Sequence, residues 1–140
     1  MKISCGTDII HISRITKAWQ KHGDRFLRRI FTPSELDDCL IDGTVTSAAA
    51  ASLAARFAAK EAIAKALGTG IGSRCAWQDL TIRRDHFGAP AAVLANAALQ
   101  RFRELGGTEL AISLTHDQDL AQAFCVMICS GHSACDEVHS

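Results

Sequence analysis

The sequence predicts an α+β fold in which one long central helix packs on a small, mainly antiparallel sheet. Three observations predict it. An alanine-rich run from about Ser47 to Leu67 holds helical character without a break. Segments near both ends alternate apolar and polar residues in the manner of half-buried strands. The element order β-α-α-α-β-β-α-β-β lacks the regular strand–helix rhythm of a parallel α/β sheet. A chain of 140 residues fits a single domain, assigned to 1–130 and followed by a polar tail over 131–140.

Each element has a local reason. Lys2 to Ile10 reads as a short strand ending near Asp8. Ile12, Ile15 and Trp19 then take helical spacing, and Gly23 stops that helix. Asp24 is placed to cap a second piece that turns Phe26, Leu27 and Ile30 inward. Thr32-Pro33-Ser34-Glu35 has the form of a capping box with proline at the first helical position, starting a helix to about Leu40. After a loop from Ile41 to Thr46 comes the long helix, which Gly68 ends. Leu80 and Ile82 alternate with polar neighbours, Asp85-His86-Phe87-Gly88 forms a hairpin turn, and Ala91 to Leu94 returns as a strand. A helix from about Asn96 to Leu105 ends at Gly106-Gly107. Glu109–Leu114 pairs with Leu120–Ile128 across a turn at Thr115–Asp119.

Composition excludes several classes. A hydrophobic share of 48% with 21% charged residues excludes a disordered chain. Fifteen Lys+Arg balance fifteen Asp+Glu, which argues against bulk nucleic-acid binding. No apolar run is long enough to span a bilayer, and Asp8 interrupts any export signal, so a cytoplasmic protein is expected. Reduced thiols follow from that setting for Cys5, Cys39, Cys75, Cys125, Cys129 and Cys135. The tail group Cys125, Cys129, His132, Cys135 and His139 has ligand-type residues at irregular spacing, and buried thiols plus a frayed terminus outweigh a metal site there.

Charge is unevenly spread. Residues 1–31 hold seven Lys/Arg against two Asp, a local net of +5, and the remainder holds eight against thirteen, or −5. Arg14, Lys17 and Lys21 share one helix face, and Arg25, Arg28 and Arg29 share another. The run reads either as a solvated face or as a dock for an acidic partner.

The chemistry-bearing candidates are few. Gly68-Thr69-Gly70-Ile71-Gly72 suggests a phosphate loop, but it follows a helix, whose C-terminal end repels anions. A helix stop is the reading adopted. Glu61 and Lys65 stand four apart on one face, the spacing of an ordinary surface ion pair. Lys60 falls on a helical wheel among Leu53, Phe57 and Leu67, so it either snorkels or faces a functional cleft. Asp8, among Ile3, Ile9 and Ile10, is either a cap for the next helix or a metal-binding carboxylate. Asp8 with Glu61 suits magnesium, which takes one or two carboxylates plus waters and phosphates. His116 stands in a turn beside Asp117, either merely exposed or a phosphate partner.

Taken in order, four blocks resemble one family. They are Gly6-Thr7-Asp8-Ile9-Ile10; Arg25-Phe26-Leu27 with Arg29-Ile30-Phe31-Thr32 and Glu35-Leu36; Arg56-Phe57-Ala58-Ala59-Lys60-Glu61-Ala62 with Lys65-Ala66-Leu67-Gly68-Thr69-Gly70-Ile71-Gly72; and Ser113-Leu114-Thr115-His116. Over residues 3–128 the chain resembles holo-acyl-carrier-protein synthase, the small trimeric group of the 4′-phosphopantetheinyl transferases. The block from Arg56 to Gly72 is the specific one.

The resemblance implies an enzyme of fatty-acid biosynthesis. It would move the phosphopantetheine arm of coenzyme A onto a serine of an acidic apo-acyl-carrier protein, releasing adenosine 3′,5′-bisphosphate. By the same resemblance Asp8 and Glu61 hold Mg²⁺, and Lys65, catalytic with them, neutralises pyrophosphate oxygens. Glu61, directly or through a water, takes the serine proton. Arg56, Thr115 and His116 contact coenzyme A phosphates, and Gly68 and Pro90 line its pocket. Arg14, Arg25 and Arg29 match carrier-docking positions, and a homotrimer with sites at subunit interfaces is implied. Four positions depart from the pattern. Cys5 fills a usually apolar place as a buried thiol, Thr115 keeps a hydroxyl, Asp117 adds negative charge near phosphates, and Ala89 removes a cation before Pro90. Two other functions compete: a non-catalytic carrier-binding module that keeps the basic face, and a thiol–metal module built on the tail.

Overall fold

The computed structural model of the chain describes residues 1–130. Its elements are β1 (Lys2–His11), α1 (Ile12–His22), α2 (Asp24–Ile30), α3 (Pro33–Cys39), α4 (Ser47–Ala66), a 3-10 turn (Trp77–Asp79), β2 (Leu80–Arg84), β3 (Pro90–Leu94), α5 (Asn96–Glu104), β4 (Gly107–Asp117) and β5 (Leu120–Cys129). This is the expected α+β class, with four helices and not three between β1 and β2.

β5 lies between β1 and β4 in a three-stranded antiparallel sheet, and β2 and β3 form a separate hairpin. α4 lies across β1 and β5. It starts where the Thr46 hydroxyl accepts the Ala49 amide at 3.1 Å. It ends at Gly68, whose φ of +76° only glycine adopts freely. The Thr69 and Gly70 amides turn back onto the Ala64 carbonyl, so the glycine run is a helix stop, as expected. Arg101 Nε donates to Leu67 O at 3.0 Å, placing a cation at the negative end of the helix.

Alanine decides the packing. Ala54, Ala58, Ala59, Ala62 and Ala64 are fully buried, so α4 is apolar nearly all round and sits in the interior. Small side chains let the sheet approach so closely that a Cβ on Gly6 would collide with the Ala62 carbonyl and crowd Lys65 Cβ at 2.9 Å. Gly6 is therefore required by contact, and that contact sets the end of β1 against the C-terminal half of α4.

Several details differ from the sequence reading. Strand β4 continues to Asp117, so Thr115 and His116 are strand residues, paired with Gln122 and Ala121, and not part of the turn. Gly23 holds the N-cap position of α2, while the Asp24 carboxylate accepts the Trp19 indole at 3.4 Å. Cys5 is exposed because β1 buries Gly6 and Ile10 and turns the alternate residues outward. Cys125 and Cys129 are buried in β5, where burial pushes the Cys125 thiol up to about 12. His132, Cys135 and His139 lie outside the described residues.

Candidate active site

Asp8 and Lys65 meet where β1 crosses α4. Lys65 Nζ lies 3.2 Å from Asp8 Oδ1 and donates to the Thr7 carbonyl at 2.9 Å. Asp8 caps nothing: the first turn of α1 is bonded instead by Asp119, which accepts from Ser13 N at 2.9 Å and Ser13 Oγ at 2.8 Å. The expected Glu61–Lys65 pair is absent among the described residues, because the strand end offers Lys65 a nearer acid. Glu61 is half-buried on the same side of α4. Burial first, and then the negative charge of Asp8, push its carboxyl above the usual range, while Lys65 and Arg14 pull it down. Two acids and two cations thus act on one another at this crossing.

Lys60 takes neither of its expected roles. It is fully buried, and its ammonium lies 2.7 Å from Glu35 Oε1 while donating to Ile30 O at 2.7 Å and Trp77 O at 3.1 Å. Glu35 also accepts the Thr32 amide, closing the capping box, and the Ile82 amide. Desolvation lowers the Lys60 pKa, and the Glu35 charge opposes that shift. The pair joins α2, α3, α4 and β2 in the core.

Arg56, Pro90, Thr115 and His116 come together in a cleft of about 310 Å³, joined by Ser52 and Arg84. Arg56 is buried, with Nε donating to Ile82 O at 3.3 Å and NH1 to Ser52 Oγ. Gly68 is not in this cleft. It lies in a separate hollow with Ser4, Leu67 and Arg101. Helix geometry accounts for the division: Gly68 follows Arg56 by twelve residues, roughly 18 Å along the helix, and Glu61, five residues on from Arg56, is turned about 140° from it around α4. Arg84 is a functional candidate that the sequence reading passed over. The hairpin register, which sets Arg84 opposite Pro90, is the signal that would have found it.

Arg14, Arg25 and Arg29, the arginines expected to dock a carrier, are all exposed. The Arg14 guanidinium lies 5.4 Å from the centroid of the Phe57 ring, one helical turn from Glu61. Gln78 Nε2 donates to Arg28 O at 2.8 Å and Phe31 O at 3.0 Å, fixing the end of α2.

An acid-bearing strand end crossing a buried alanine helix, with an arginine-lined cleft beside it, places the chain in a class that comparison identifies directly. Residues 4–126 match the sequence model of the 4′-phosphopantetheinyl transferase superfamily. The holo-[acyl-carrier-protein] synthase of Moorella thermoacetica is 46% identical over 121 residues, which is 86% of this chain and 90% of that protein. That of Nitrobacter hamburgensis is 44% identical over 131 residues, 91% and 94% of the two chains. Among solved structures, Helicobacter pylori holo-[acyl-carrier-protein] synthase in complex with coenzyme A superposes with a TM-score of 0.76 at 31% identity. It covers 89% of this chain and 99% of that one. The Neisseria meningitidis enzyme gives 0.79 at 34%, covering 89% and 97%. The chain belongs to the holo-[acyl-carrier-protein] synthases, the phosphopantetheinyl transferases that these relatives represent.

Proposed function

We propose that this enzyme transfers the 4′-phosphopantetheine arm of coenzyme A to a serine of an acidic apo-acyl-carrier protein, with Mg²⁺, in fatty-acid biosynthesis. The observation that carries the site assignment is the meeting of Asp8, Lys65 and Glu61 at the β1–α4 crossing. The serine oxygen attacks the phosphorus bonded to the pantetheine arm. The bond to the adenosine half breaks, and adenosine 3′,5′-bisphosphate leaves. Glu61, directly or through a water, takes the serine proton. Lys65 places a cation against the pyrophosphate, and Arg14 on Phe57 brings the acidic carrier to the same face.

The donor set fits Mg²⁺. Two carboxylates whose charges oppose one another gain from a shared divalent cation, and oxygen ligands with few protein contacts are what magnesium accepts. Asp8 and Glu61 would hold it. When bound, it would neutralise charge building on the leaving phosphate.

A homotrimer is part of the same proposal. The outer face of the sheet exposes Ile3, Cys5 and Ile9 from β1 and Phe124 and Leu120 from β5, an apolar area that favours association. The separation of the Arg56 cleft from the Asp8–Glu61 crossing on one chain supports sites completed between subunits. Function in the cytoplasm is supported by the five described cysteines, all free thiols, and no described helix is long and apolar enough to cross a membrane.

The test is the intact mass of an apo-carrier incubated with the enzyme, coenzyme A and Mg²⁺. A gain of one phosphopantetheine arm, lost with a chelator and restored by Mg²⁺, is expected. No gain, or a gain indifferent to chelation, would refute the transfer or its metal respectively.

A further inference from the structure

The cleft beside α4 is lined by Arg56, Arg84 and His116 and by no carboxylate, so it is built for an anion. Its two arginines are not equivalent. Arg56 is 4% exposed, and its donors are committed: Nε to Ile82 O, NH1 to Ser52 Oγ, and NH2 lying 3.8 Å from Asp38 Oδ2. Its charge is partly offset, and its position is in the wall.

Arg84 differs on each point. It is exposed, and among the described residues it makes one hydrogen bond, NH1 to Gly88 O at 2.9 Å, with no acid within ion-pair distance. Alternation along β2 sets it on the same side as buried Ile82, whose carbonyl Arg56 holds, and so toward the cleft. Its neighbour Asp85 does not neutralise it. Asp85 Oδ1 accepts from Phe87 N and Ala89 N, both at 2.9 Å, and so stiffens the turn. Opposite Arg84 stands Pro90, preceded by uncharged Ala89, so Arg84 is the cation that this hairpin brings to the cleft.

We propose that Arg84 is a phosphate-binding residue for coenzyme A, making the direct anion contact while Arg56 shapes the wall. This rests on the transferase reading of the cleft. A guanidinium with most of its donors free, on a braced two-stranded hairpin, suits a phosphate. Two parts of coenzyme A present that chemistry, the 3′-phosphate and the diphosphate.

The experiment is calorimetric binding of coenzyme A and of dephospho-coenzyme A, which lacks the 3′-phosphate, to the full chain and to Arg84→Gln. Arg84→Gln is expected to weaken coenzyme A binding by about tenfold, with an unchanged melting temperature and an unchanged carrier KM. If the penalty vanishes with dephospho-coenzyme A, Arg84 binds the 3′-phosphate. If it persists, Arg84 binds the diphosphate. Coenzyme A affinity in Arg84→Gln within twofold of the parent would overturn the proposal. A parent that binds no coenzyme A would instead overturn the reading of the cleft, and the Arg84 assignment with it.

Discussion

Lys60 and Lys65 stand five residues apart on α4, and each pairs with an acid from another element, yet the two pairs do different work. Lys60 and Glu35 are both fully buried at 2.7 Å, with every remaining oxygen and proton taken by backbone groups of three other elements. Lys65 and Asp8 are longer at 3.2 Å and open to solvent, with side chains 51% and 20% exposed, and Glu61 stands beside them as a second acid on which Lys65 and Arg14 also act. A pair whose partners are all inside the protein leaves nothing for a substrate. A half-solvated pair with a second acid beside it can exchange its partners for phosphate, metal or a serine proton. Five residues of helix turn the two lysines about 140° apart, and that rotation separates structure from chemistry.

The comparison can be broken most sharply at the open pair. Asp8→Ala and Glu61→Ala should each lower the transfer rate by about 10³-fold or more while the melting temperature stays near the parent's, since an exposed ion pair contributes about 0–1 kcal/mol. Thermal unfolding measured beside carrier mass gain checks both halves.

The closed pair should give the opposite result. Lys60→Met leaves Glu35 charged and buried, and a loss of roughly 3–5 kcal/mol of stability is expected from denaturant unfolding. Adding Glu35→Gln should return part of that loss, since the stranded charge is removed. Equal stability in Lys60→Met and the parent would show that the pair is not the core junction described.

These two lysines also show how far the sequence could be read. The capping box Thr32-Pro33-Ser34-Glu35, the alanine helix with its glycine stop and the β2–β3 turn are local signals, and each formed where expected. Arg14, Arg25 and Arg29, proposed to dock the carrier, and the Asp8–Lys65–Glu61 group were recognisable as residues in a family pattern. What stayed hidden depends on contacts distant in sequence. Lys60 finds Glu35 only after α3 folds over α4, although the box already required Glu35 at that place. Asp119 bonds the start of α1 from more than a hundred residues away. Cys5 was expected inside because the family pattern usually has an apolar residue at its place, but strand alternation turned it out.

Smaller effects sharpen the boundary between the site and its surroundings. Charge reversal at Arg14 and Arg29 should raise the carrier KM by roughly tenfold and leave the coenzyme A KM little changed. Equal effects on both would remove the docking assignment. Alkylation at pH 8 should spare Cys75 and Cys125, whose thiols burial pushes up to about 11 and about 12 and so keeps protonated. Cys5 labelling should slow as protein concentration rises, because association covers the outer sheet face. A rate independent of concentration would show that this face is not the subunit contact.

The most direct test of the separation between the two lysine pairs is one mass measurement. An apo-carrier is incubated with coenzyme A, Mg²⁺ and either the parent enzyme or Asp8→Ala, each confirmed folded by its melting curve. The parent should add one phosphopantetheine arm to the carrier, and Asp8→Ala should add none. An arm transferred by Asp8→Ala at the parent's rate would contradict the assignment of chemistry to the β1–α4 crossing.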